Sequence, residues 1–86
     1  SSRIEPRPGM TGPELALLKK VAMRYPWSAA QYRYALGLAL NHQEGEAARQ
    51  MRILRAQQGD KTYFKLNQQI TDQVKRSSSR QAGTGL

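Results

Sequence analysis

Residues 26–55 read PWSAAQYRYALGLALNHQEGEAARQMRILR and spell two helices joined by a short polar turn, an αα-hairpin. Pro26 forces a break before it, because the residue preceding a proline is pushed out of the helical region. Ser28 is placed to cap the helix that follows, and Gln31, three residues on, completes a capping box. Trp27 and Tyr32 stand at the spacing of a hydrophobic staple. Tyr32, Ala35, Leu36 and Ala39 form one face of this helix, and Tyr34, Leu38 and Leu40 cover much of the rest. A helix apolar on most sides sits at the centre of its fold, covered by neighbours on at least two faces. Gly37 and the alanines permit close backbone approach. Asn41-His42-Gln43 makes the turn. Glu44 and Glu46 then place negative charge where the next helix dipole favours it. Ala47, Met51 and Leu54 form the buried stripe of that helix, with Ala48 and Ile53 at its margins.

Upstream, Thr11-Gly12-Pro13-Glu14 is a helix start, with Thr11 as cap, proline in the first turn and Glu14 closing a capping box. The spacing predicts a helix to about Arg24 that buries Leu15, Leu18, Ala22 and Tyr25, widened by Leu17 and Val21. Residues 1–10, with Pro6, Pro8 and Gly9 among charges, read as a linker. Downstream, Gly59 stands where a left-handed cap is usual, and Asp60 can cap a fourth helix that buries Tyr63, Leu66 or Asn67, Ile70 and Val74, with Phe64 beside them. That pattern fades at Lys75-Arg76, and residues 77–86, rich in Ser, Gly, Gln and Arg, read as a disordered basic tail. The expected fold is all-α: four short helices over residues 11–76, the second and third an antiparallel pair.

Eighty-six residues make one small domain at most. Without cysteine, disulfides, zinc fingers and thiol chemistry are excluded. The formal net charge of +8 suits an anionic partner. The cations are spread over several segments with acids interleaved, and no run of five like charges occurs. No stretch is apolar enough to cross a bilayer and no secretory signal is present. The chain begins Ser-Ser rather than Met, which leads us to expect a fragment of a longer protein.

Candidate chemistry is sparse. His42 is the single histidine, and a base or ligand role would need carboxylates or further ligands around it; Glu44 and Glu46 read as first-turn dipole residues instead. Asp60 and Asp72, twelve apart, make no acid–base pair. No catalytic, cofactor or metal site is expected. Arg49, Arg52 and Arg55, three apart along one helix side, could grip phosphates or an acidic segment, or simply form a solvated face with local pairing to Glu44, Glu46 or Asp60. Tyr34, off the main stripe, is the aromatic expected to be exposed. The possible binding surface is therefore Arg49, Arg52, Arg55 and Tyr34. A helix-turn-helix reading is weakened because Glu44 and Glu46 would meet phosphates at the start of the recognition helix.

Ala39-Leu40, Gly45 and Glu46-Ala47-Ala48 resemble the turn of a tetratricopeptide-type helix pair, in which small residues let helices cross closely. A more specific resemblance spans roughly Leu15 to Ile70. Arg24-Tyr25-Pro26, the aromatic helix from Tyr32 to Ala39, the turn from Gly45 to Gln50, and Arg52 to Arg55 are similar to the C-terminal domain of bacterial membrane-bound O-antigen polymerases and ligases, including the pilin-glycosylating O-oligosaccharyltransferases. The resemblance implies a non-catalytic accessory domain, for recognition or scaffolding, of a Gram-negative inner-membrane glycosyltransferase that transfers or polymerises undecaprenyl-linked glycan. It implies catalytic residues outside this chain, attachment through upstream spans, and a periplasmic location. Its implied partners are an acceptor protein such as pilin, anionic lipid, or the lipid-linked glycan; nucleic acid is not expected. The alternative is a free-standing basic helical module that binds nucleic acid.

Overall fold

The computed structural model describes residues 4–26 and 29–84. Four helices follow one another: α1 Gly12–Arg24, α2 Ala29–Leu40, α3 Glu44–Gln58 and α4 Asp60–Thr84. The described residues contain no strand, so the fold is the all-α bundle that the helical periodicities predict. Helix α2 is its axis. α1, α3 and α4 each pack on α2, α3 also packs on α4, and α1 reaches neither α3 nor α4.

This arrangement follows from what α2 has to hide. Seven consecutive residues, Tyr34 through Leu40, are buried. Consecutive residues point around the whole helix circumference, so only neighbours on several sides can cover them. α3 supplies Ala47, Met51 and Leu54, and α4 supplies Ile70, with Tyr63, Leu66 and Val74 partly buried around it. Leu54 is fully enclosed. Truncating such a leucine to alanine costs about 2–5 kcal/mol.

α1 begins as its sequence dictates. Thr11 Oγ1 accepts from the Glu14 backbone N–H at 3.3 Å, and Glu14 Oε1 accepts from the Thr11 N–H at 2.9 Å. Its buried stripe is narrower than expected. Leu18 and Ala22 are buried and Leu15 packs beside them, but Leu17 and Val21 stand 50% and 46% exposed. Among the described elements α2 is the one helical neighbour of α1, which leaves this flank uncovered. Tyr25, expected on the stripe, is the C-cap at φ −127° and is exposed, because the helix has ended before it. α1 meets α2 at Gly37. A Cβ there would lie 2.9 Å from Leu18 Cδ1, 3.4 Å from Leu15 Cδ2 and 3.5 Å from the Met10 sulfur. The capping box of Ser28 and the staple of Trp27 lie outside the described residues.

The turn after α2 is a Schellman motif. The Gln43 N–H bonds the Leu38 carbonyl at 2.8 Å, the His42 N–H bonds that of Ala39 at 3.3 Å, and His42 sits at φ +64°. That left-handed position usually belongs to glycine. Asn41, just before it, fastens the start of the chain. Its amide nitrogen donates to the Gly37 and Arg7 carbonyls, and its Oδ1 accepts from the Met10 N–H at 2.8 Å. The segment expected to be a linker therefore docks: Met10 is buried and Ile4 packs against the core.

α3 and α4 meet at one residue. Gly59 has φ +91°, which favours glycine, but its ψ of 169° takes it out of the left-handed helical region expected of a cap. Its N–H bonds the Arg55 carbonyl and its own carbonyl accepts from the Tyr63 N–H, so it closes one helix and opens the next. Asp60, expected as a cap, is instead the first residue of α4, and its carboxylate accepts from Arg55 Nε at 2.7 Å. α4 also continues past Arg76 to Thr84, where the composition argued for a disordered tail. Residues 77–84 extend a helix already nucleated, at one backbone bond per residue. Among the side chains the structure describes, Val74 is the last apolar one packed against the core.

Two substitutions test these joints by urea denaturation. His42→Gly should raise unfolding free energy by about 0.5 kcal/mol, because the left-handed strain of a Cβ-bearing residue is removed while some unfolded-state entropy is regained. Gly37→Leu should lower it by about 2 kcal/mol or more through overpacking against Leu18.

Candidate functional site

α1 and α3 flank α2 without touching, and the space between them is a half-open cleft of about 380 Å³. Its two walls have the same spacing. Lys19, Ala22, Met23 and Pro26 face it from α1 and the turn that follows, and Glu46, Arg49, Gln50 and Ile53 face it from α3. Both sets are i, i+3, i+4, i+7, the stripe one helix presents to a single direction. Gln31 and Tyr34 of α2 contribute its floor.

The floor is a relay of amides. Gln31 Nε2 donates to Gln50 Oε1 at 2.7 Å, and Gln50 Nε2 donates to Glu46 Oε2 at 2.9 Å. Gln31 is 3% exposed, the single buried polar residue of the described core, and its bond to Gln50 offsets the cost of that burial. Glu46 Oε1 lies 3.9 Å from Arg49 Nη1. Tyr34, expected to be an exposed aromatic, is 5% exposed. Burial pushes its phenol above the usual tyrosine range, and the charge of Glu46 adds to that. Above the floor the cleft is apolar and open: Met23 is 71% exposed and Ile53 38%.

The arginine row does not form one surface. Arg49 stands at the cleft with Tyr34. Arg52 is exposed and makes no ion pair among the described residues. Arg55 belongs to the α3–α4 joint, where it bonds Asp60 and lies 5.1 Å and 5.8 Å from the ring centroids of Tyr63 and Phe64. So local pairing claims Arg49 and Arg55, and the structure brings together two of the four residues of the expected surface. Lys19, Met23, Gln31, Gln50 and Ile53 were not foreseen there. The signal was the matching spacing on α1 and α3, which gains meaning only once both are known to flank α2. Gly45, which the tetratricopeptide resemblance places at a close crossing, is exposed and has nothing within 4 Å of a Cβ position. Ala39 and Ala47 of the same pattern are buried.

His42 is exposed on its turn, and among the described residues no three histidines or carboxylates gather as a metal site would require. No described helix is long and apolar enough to cross a membrane. No family model, curated protein or solved structure matches the chain.

The acids at the helix ends respond to pH. Glu14 is held below the usual carboxylate range by the Thr11 backbone N–H and then by Arg7, and Asp60 is lowered by its bond with Arg55. A carboxylate lowered in the folded state stabilises above its unfolded pKa and loses that contribution as pH falls through the folded value. Thermal melts should therefore show midpoints falling as pH drops below about 4. Glu14→Gln and Asp60→Asn should each flatten that slope, and an unchanged slope in both would sink the assignment.

Proposed function

We propose that this chain is a non-catalytic recognition or scaffolding domain of a membrane glycosyltransferase, of the O-antigen polymerase/ligase or protein O-oligosaccharyltransferase type, acting on undecaprenyl-linked glycan. The observation that supports this reading is where the family-like residues fall. Tyr34, Ala35, Leu36, Leu38, Ala39, Ala47, Met51 and Leu54 lie inside the resembling stretch and are core residues. Arg49 and Gln50, from the same stretch, and Pro26 at its start, line the cleft. This placement supports a scaffold with a groove as the role, one that leaves transfer chemistry to another part of the parent. On this reading the parent is anchored in the inner membrane and holds the domain on the periplasmic side. There it would meet the acceptor protein, anionic lipid or the lipid-linked glycan. The tetratricopeptide-like pairing belongs to the same proposal.

The test has two arms. The 86-residue chain should be helical by circular dichroism and transfer no glycan. Removal of the corresponding domain from a full-length transferase should change acceptor use, assembly or abundance; wild-type behaviour in all three would end the accessory reading. The competing nucleic-acid reading predicts binding that weakens steeply with salt as phosphate counterions are released. A titration against DNA and RNA should find no binding near physiological ionic strength.

A further inference from the structure

We propose that the cleft between α1 and α3 is a docking site for an acidic peptide segment that inserts one apolar side chain. The inference stands on the cleft and holds whatever the parent protein is. Three observations argue for this occupant. The first is charge. Lys19 on one wall and Arg49 on the other outnumber Glu46, whose two oxygens already face Gln50 and Arg49. A bound segment therefore meets net positive charge on opposite sides, in a chain that carries +8. The second is the apolar lining. Met23, at 71% exposure, is the most exposed large hydrophobic residue of those described, and it faces the half-exposed Ile53 across the gap. A thioether this free adapts its shape to an incoming side chain. The third is the floor. Gln50 is half-buried, accepts from Gln31 through Oε1 and donates one N–H to Glu46, which leaves its amide a second N–H suited to a peptide carbonyl.

Concavity selects among anionic partners. A lipid surface needs apolar side chains that project outward with cations around them. Here Met23 and Ile53 line a half-open cleft between two helices, a concave shape that fits a single chain segment better than a flat bilayer. The volume of about 380 Å³ is at the small end of binding sites, enough for one anchoring side chain rather than a whole helix.

The chain carries three methionines, and Met10 and Met51 are buried while Met23 lines the cleft. Their ¹³C-labelled methyl groups form an internal control in NMR titrations. The probe is a synthetic peptide of about ten residues with one central leucine flanked by glutamates, matched against versions with lysine for glutamate and alanine for leucine. The Met23 methyl should shift and saturate with the acidic leucine peptide while Met10 and Met51 stay in place. Both control peptides should bind at least fivefold more weakly, and Arg49→Glu and Lys19→Glu should each raise Kd about five- to tenfold. Unmoved Met10 and Met51 signals in these variants show that the fold is intact. A silent Met23, an equal response to the lysine peptide, or unchanged affinity in both variants would overturn the proposal. So would phosphatidylglycerol vesicles that shift Met23 when the peptide does not, which would assign the site to a membrane.

Discussion

An α-helix with no polar side has to be covered all the way round, and the fold of this chain is the solution to that one constraint. From Tyr34 to Leu40 there is no residue α2 can leave in water. With short connections on either side, α1 and α3 are the first available covers, and α4 completes the enclosure. The order of elements and the choice of neighbours follow from it. So does the unequal treatment of the four helices: α2 is buried on all sides, α3 and α4 on one stripe each, and α1 on a stripe so narrow that Leu17, Val21 and Met23 remain outside.

The cleft is a by-product of the same geometry. Two helices packed on opposite flanks of a third leave a gap when they do not close on each other, and the side chains that face the gap decide its character. Here two amides and a tyrosine, a methionine and an isoleucine, and the charges of Lys19, Glu46 and Arg49 line it together. Gln31 matters most in this arrangement. A leucine in its place would bury as well, but it would strand the Gln50 carbonyl oxygen and turn the floor apolar. The polar residue among so many apolar ones on α2 thus marks the side on which α2 is covered by a site instead of by a helix.

Much of this was legible in the sequence, and the parts that were not share a cause. Helix positions, the Thr11–Glu14 box and the buried stripes of α3 and α4 depend on residues a few positions apart, and those readings carried into the structure. Tyr34 was misjudged because a helical wheel shows which residues share a face but not how many faces will be covered. Leu17 and Val21 failed in the opposite sense for the same reason. Met10 joined the core through Asn41, 31 residues away, a relation no local pattern contains. The helix beyond Arg76 was missed because composition reports what a segment can bury, while an extended helix end needs only its own backbone bonds. The cleft combined both problems: each wall was readable, but their opposition was not.

The Asn41 clasp also bears on the order in which the chain can assemble. α1 with α2, α2 with α3, and α3 with α4 are all contacts between neighbours in sequence, the kind that close short loops and form early. The bonds from Asn41 to Arg7 and Met10 span 34 and 31 residues, and they need α2 to have ended and turned before they can exist. The incoming segment is therefore a strap that can fasten only on a turn already formed, and like the α2–α4 contacts it closes a long loop. Because Met10 lies against Gly37, loss of that strap would uncover the contact between α1 and α2.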